Sequence, residues 1–150
     1  MKTGLVLGGI GIALAVAGCA LFSPMGGHGS GTRVTISNDV NVTPSGSSCT
    51  VAAVPPISVT NGNSGTLVFH VKPASAFKFA SNGIDFSKSG APPGEFSPVN
   101  TSDTTWTIRD RNKTAGTFKY DVHVIPKAQG GVACMLDPTV FNDGTCTDGC

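Results

Sequence analysis

From Thr32 onward the chain places an apolar side chain at every second position. Val34 and Ile36 alternate with polar residues, as do Val40 and Val42. Cys49, Val51 and Ala53 carry the pattern on, and Ile57 and Val59 resume it after Pro55-Pro56. Leu67, Phe69 and Val71 share one face of a segment, Trp106 and Ile108 of another, and Val132, Cys134 and Leu136 of a third. Phe118, Tyr120, Val122 and Val124 make the longest such run. A period of two is that of a strand with one buried face, and no stretch shows the period of an amphipathic helix. Phe77 with Phe79, and Ile84 with Phe86, read as two short runs parted by a turn at Ser81-Asn82-Gly83. "RDRNKTAG", Arg109 to Gly116, reads as a hairpin loop. Ser87 to Asp103 is the longest irregular stretch, the kind of loop that often carries binding residues. About eight strands at short spacing predict an all-β fold, a two-sheet antiparallel sandwich.

The first residues break this pattern. Lys2 is followed by a run without charge from Thr3 to Phe22, with its apolar centre at Leu5–Ala17. That is the size and order of a secretory signal, whereas a membrane span needs about 20 apolar residues. Val16-Ala17-Gly18-Cys19 resembles the bacterial lipobox: a branched apolar residue, two small residues, then a cysteine whose thiol takes the lipid. The expected organisation is a lipoprotein signal peptide at 1–18, a lipidated Cys19 and flexible tether at 19–31, a β-sandwich domain at 32–142 and a Cys-containing C-terminal tail at 143–150. Several acyl chains on Cys19 anchor a protein where one binds marginally. Ala20 after the cysteine leans toward the outer membrane, facing the periplasm or the surface.

Composition narrows the partners. Charged residues are 13% of the chain and the formal net charge is +1. Without Lys2, nine basic residues face nine acidic ones, a balance that does not favour nucleic acid, which requires a basic stripe. Setting Cys19 aside leaves Cys49, Cys134, Cys146 and Cys150, an even count that outside the cytoplasm reads as disulfides. Cys49 is in phase with Val51, and Cys134 with Val132 and Leu136, so both point into the core and a Cys49–Cys134 bridge is expected. Cys146 and Cys150 are left as a pair close enough in sequence to close a small C-terminal ring, and the sequence does not fix whether they do. Zinc fits poorly, because thiolate sites pair close C-x-x-C elements.

Together, "CTVAAVPPISVTNGNSGTLVFHV", "FKFASNGIDF", "WTIRDRN", "GTFKYDVHV" and the closing "CMLDPTVFN" resemble, over Cys49 to Asn142, small exported bacterial β-sandwich proteins of cupredoxin-like or Ig-like kind, with a C-terminal DPTxxN motif. The resemblance implies a fold and no activity. A blue-copper site needs two His, a Cys and usually a Met. Here Met135 follows Cys134 at once, onto the opposite strand face, and no His follows His123. His70 and His123 alternate with apolar residues, so both face outward, and as cross-strand neighbours they would form a weak surface pair for Cu or Zn. His28 reads as a solvated tether residue. Asn142, Asp143 and Asp148 are oxygen donors beside glycines, the residues of ordinary turns as well as of calcium loops, without EF-hand spacing. No G-x-S-x-G elbow is present. Asp121 and His123 share a strand face without an identifiable serine. Asp85, Glu95, Asp103, Asp110 and Asp121 converge only if folding brings them together.

The expected protein is therefore not an enzyme and carries no cofactor. It is a lipid-anchored binding or structural module of the envelope, held to the membrane by acylated Cys19, with an envelope protein or glycan as partner. Its alternatives are a periplasmic protein handling Cu, Zn or Ca, and a small hydrolase or inhibitor using the Ser87–Asp103 loop.

Overall fold

A computed structural model describes residues 31–46 and 48–147. Among the described residues eleven strands and no helix are formed: β1 (Arg33–Ser45), β2 (Ser48–Val51), β3 (Ile57–Val59), β4 (Ser64–Lys72), β5 (Phe77–Asp85), β6 (Phe96–Thr101), β7 (Thr105–Asp110), β8 (Gly116–Lys119), β9 (Asp121–Pro126), β10 (Cys134–Leu136) and β11 (Thr139–Asn142). One sheet has the order β2-β1-β4-β7-β6. The other strands form two triplets, β10-β9-β5 and β3-β11-β8. Those triplets are halves of one layer. The ladder from Cys134↔Val124 to Leu136↔Val122 continues in the same register from Thr139↔Lys119 to Asn142↔Gly116, and Tyr120 N donates to Pro138 O between them. Pro138, which has no N–H to give, marks the break. The fold is an all-β sandwich of a five-stranded sheet and this composite layer.

Alternation places the core. Val40, Val42, Leu67, Phe69, Val71 and Ile108 point inward from the first sheet, and Val59, Phe77, Phe79, Ile84, Tyr120, Val122, Val124 and Val140 from the second. Burying a side chain of this size contributes about 1.5–3 kcal/mol. Phe69 tilts against Tyr120 at 5.5 Å, and Phe86 stacks between Tyr120 (4.9 Å) and Phe96 (4.0 Å), so aromatic rings bridge the two layers.

Several local expectations are corrected. Ser81-Asn82-Gly83 is no turn: β5 runs through it with a register shift between Phe79 and Ile84. Gly83 is there for close approach, since an added Cβ would sit 2.7 Å from Phe79 Cβ and from Trp106 Cε3. "RDRNKTAG" is no hairpin: it carries the chain from β7 in one layer to β8 in the other. The Ser87–Asp103 stretch contains β6, an edge strand with Pro98 in it. The run from Phe118 to Val124 is divided between β8 and β9. Val132 lies outside β10 and is 56% exposed. The sandwich is not wholly antiparallel, because β1 pairs with β4 and β3 with β11 in parallel. Parallel neighbours arise because short crossings between layers separate strands that a hairpin would have paired.

The flanks of the sandwich differ. On one, the Cys49–Cys134 disulfide joins edge strand β2 of the first sheet to β10 of the second. On the other, β6 and β5 end their sheets without such a link among the described residues.

Candidate functional site

The outer face of the second layer gathers one set of potential ligands. On β9, Val122 and Val124 face the core with no exposure, so Asp121 and His123 face out. The β5–β9 register sets Asp85 opposite Asp121, and the β10–β9 register sets Met135 opposite His123. One ligating atom each from Asp85, Asp121 and His123 lies within 4.8 Å of the others. His123 Nε2 is 3.9 Å from Asp121 Oδ2, and Lys88 Nζ is 3.7 Å from the same oxygen. Asp85 Oδ1 accepts a 2.7 Å hydrogen bond from Ser87 N. That backbone donor holds the Asp85 carboxyl below its ordinary value; burial opposes it, and the Ser87 side chain, His123 and Lys88 assist. His123 Nε2 is buried and has no hydrogen-bond partner among the described residues. A cavity of about 110 Å³ opens alongside, lined by Asp85, Lys88, Lys119, Tyr120, Asp121 and Asp137.

A second polar cluster lies inside the sandwich. Asp110 follows Trp106 and Ile108 on the inward phase of β7, and Asn142 follows Val140 on that of β11; both are fully buried, and Glu95 is 4% exposed. Asn142 Nδ2 donates to Asp110 Oδ1 (2.8 Å) and Glu95 Oε1 (3.2 Å). Asn112 N also donates to Asp110 Oδ1, while Lys113 N and Thr114 N donate to Glu95 Oε1. Burial, with Glu95 adding to it against the hydrogen bonds from Asn112 and Asn142, pushes the Asp110 carboxyl up to about 6. Asn112, fully buried at φ +49, donates through Nδ2 to Asn63 O and Asp143 Oδ1 and accepts at Oδ1 from Gly144 N. Asp143 Oδ2 accepts from Asn61 N and Thr145 Oγ1 from Gly62 N, so the C-terminal segment clasps the Asn61-Gly62 turn, where both residues have positive φ. Burial works to raise the Asp143 carboxyl, but hydrogen bonds from Thr145, Asn112 and Asn61 outweigh it and bring it to about 2. These groups accept backbone and amide N–H bonds, which is the chemistry of a structural clasp.

The flank opposite the disulfide carries two grooves. The larger, about 460 Å³, runs between the end of β5 and the start of β6, with half-buried Phe86 and Phe96 stacked in its wall and Ser87, Ser97, Pro92 and Pro98 among its lining. The second, about 380 Å³, lies between Lys78–Ser81 and Thr101–Asp103 and reaches Trp106.

The residues singled out from sequence fall as follows. Cys49 and Cys134 are bonded to each other. Cys146 is disulfide-bonded and 4% exposed, while Cys150, Cys19, His28 and Asp148 lie outside the described residues. His70 and His123 are not cross-strand neighbours. They lie on β4 and β9 in different sheets, and His70 Nδ1 instead meets Thr105 Oγ1 at 3.3 Å. Asn142 and Asp143 are committed to the inner cluster and the clasp. Of the scattered carboxylates, folding pairs Asp85 with Asp121 and Glu95 with Asp110. Asp103 ends up beside the smaller groove. The inward pair Asp110 and Asn142 was missed as a site, although extending the period of two from Ile108 and Val140 reaches both.

No protein-family model and no curated protein sequence matches this chain.

Proposed function

We propose that this protein is an exported, lipid-anchored β-sandwich of the cell envelope that acts by binding an envelope protein or glycan and not by catalysis. The observation that carries the proposal is the asymmetry of the flanks. One is closed by Cys49–Cys134, and the other presents an edge strand beside an aromatic-walled groove with a serine- and proline-rich lining. Apolar walls with a few polar groups are what binding grooves have in common, and an unpaired strand edge offers main-chain hydrogen bonds to a partner. A disulfide between the layers suits an oxidising compartment. The lipobox-like Val16–Cys19 supports the anchor, and the near balance of charges favours a neutral partner over nucleic acid. The inner carboxylates Glu95 and Asp110 serve as acceptors in a structural network, which supports a non-enzymatic reading.

Two measurements test it. Intact mass of protein extracted from membranes should correspond to a chain beginning at acylated Cys19; an uncleaved chain, or processing and acylation that persist in Cys19→Ala, refutes the anchor. Affinity capture from solubilised envelope should recover a specific partner that a Ser97→Arg, Val99→Arg variant loses. Equal recovery by both forms refutes the groove as the contact.

A further inference from the structure

We propose that Asp85, Asp121 and His123 form a copper(II) site, with Met135 beside it as a soft fourth donor, a role beyond the envelope-module reading. Like charges directly opposite on paired strands destabilise a sheet, and Asp85 and Asp121 are such a pair on half-buried positions. Something positive belongs between them. Lys88 supplies part of it, pairing with Asp121 at 3.7 Å and acting on Asp85 from farther away, but its side chain is 83% exposed. His123 is the independent pointer. Its Nε2 faces Asp121 Oδ2 at 3.9 Å, is buried, and takes no hydrogen bond among the described residues, which leaves it open to ligate in the tautomer that carries its proton on Nδ1. An ion held at about 2.0–2.2 Å from N and O donors draws such atoms together by about an ångström, within reach of carboxylate rotation.

The donor set narrows the metal. One imidazole and two carboxylates suit a first-row divalent ion, and the intrinsic affinity of such a site is highest for copper. Met135 is the cross-strand partner of His123, on the same outward face, and its side chain is 61% exposed. A thioether at that position adds a ligand that copper accepts and that calcium and magnesium do not. Cys134, the neighbouring sulfur, points inward and is spent in the disulfide, so this site is unlike a cysteine-ligated copper centre.

The test is copper(II) titration of the full chain in detergent, with free thiols alkylated and His28 replaced by Ala, leaving His70 and His123 as the only imidazoles. One equivalent should bind with micromolar or tighter affinity, giving an electron paramagnetic resonance spectrum with coupling to a single imidazole nitrogen. His123→Gln should remove that coupling and weaken binding by at least about 100-fold, the upper range seen on losing even an outer-shell partner. His70→Gln should leave both unchanged. Lys88→Gln, which removes the competing cation, should tighten binding. Met135→Leu, an apolar replacement at a 61% exposed position, should weaken copper several-fold and leave zinc unaffected. Copper retained in His123→Gln, coupling lost in His70→Gln instead, or no stoichiometric binding in the parent protein overturns the proposal.

Discussion

Replacing Asp110 by Asn changes one buried atom and gives a stability difference that depends on pH in a defined way. In the folded protein Asp110 holds its proton up to about pH 6, because burial and the Glu95 charge disfavour its anion. In the unfolded chain it releases the proton near 3.8. Between those values the folded state binds more protons than the unfolded one, so stability falls as pH rises through this window and is level above it. At about 1.4 kcal/mol per pKa unit, the full loss approaches roughly 3 kcal/mol. Asn keeps the Oδ1 acceptor used by Asn112 N and Asn142 Nδ2. It also turns Oδ2, which has no partner among the described residues, into a donor, and Asn142 Oδ1 is an unpartnered acceptor in the same cluster. The assay is urea unfolding of both proteins at intervals from pH 4 to pH 8, read as the difference between them so that shared titrations cancel. Asp143 stays outside the window, with a folded value of about 2. Asp110→Asn should gain on the parent by up to about 3 kcal/mol between pH 4 and pH 6.5 and keep that gain to pH 8. A difference that does not change with pH, or one that moves the other way, refutes the reading of Asp110 as a carboxyl protonated by burial.

Other substitutions probe separate parts of the fold. Converting Cys49 and Cys134 to Ser opens a loop spanning 85 residues, and the urea midpoint should fall by the equivalent of about 4 kcal/mol; an unchanged midpoint means the bridge does not form. Gly83→Ala puts a methyl between Phe79 and Trp106, with 2.7 Å contacts that need backbone movement. It should cost about 1–3 kcal/mol and shift the Trp106 fluorescence, whereas a silent substitution would show that β5 does not pass beneath Trp106. Asn142→Leu strips the amide shared by Asp110 and Glu95. Thermal unfolding should show a loss of about 3 kcal/mol, larger at pH 8 than at pH 4, where Asp110 is neutral; an equal loss at both would contradict the buried charge.

Strand positions and side-chain phase were legible because a half-buried strand writes its burial into alternate residues. The same phase brought Cys49 and Cys134 inward and made their bridge readable. β6 was not legible: "FSPVNT" has no alternation, since an edge strand with half-buried to exposed residues has no core face to encode. Gly83 looked like a turn because close packing against Trp106 and a turn both call for glycine. The division of Phe118–Val124 between β8 and β9 depends on Pro138 in the neighbouring strand, which local sequence does not reveal. The outward cluster was half legible: Asp121 and His123 are two apart on one strand, but Asp85 and Met135 join them through strand pairing alone. Pairing His70 with His123 failed for the same reason, because shared phase says which way a side chain faces and not which sheet holds it.

The binding role of the open flank is tested most directly by photo-crosslinking in the intact envelope. A photoreactive residue is placed singly at Ser97 and Val99 on β6, and at Thr50 on β2 beside the disulfide as the control. Both β6 positions should yield the same discrete adduct and Thr50 none. Adducts of equal yield from Thr50, or none from either β6 position, would contradict a contact surface on the β5–β6 flank.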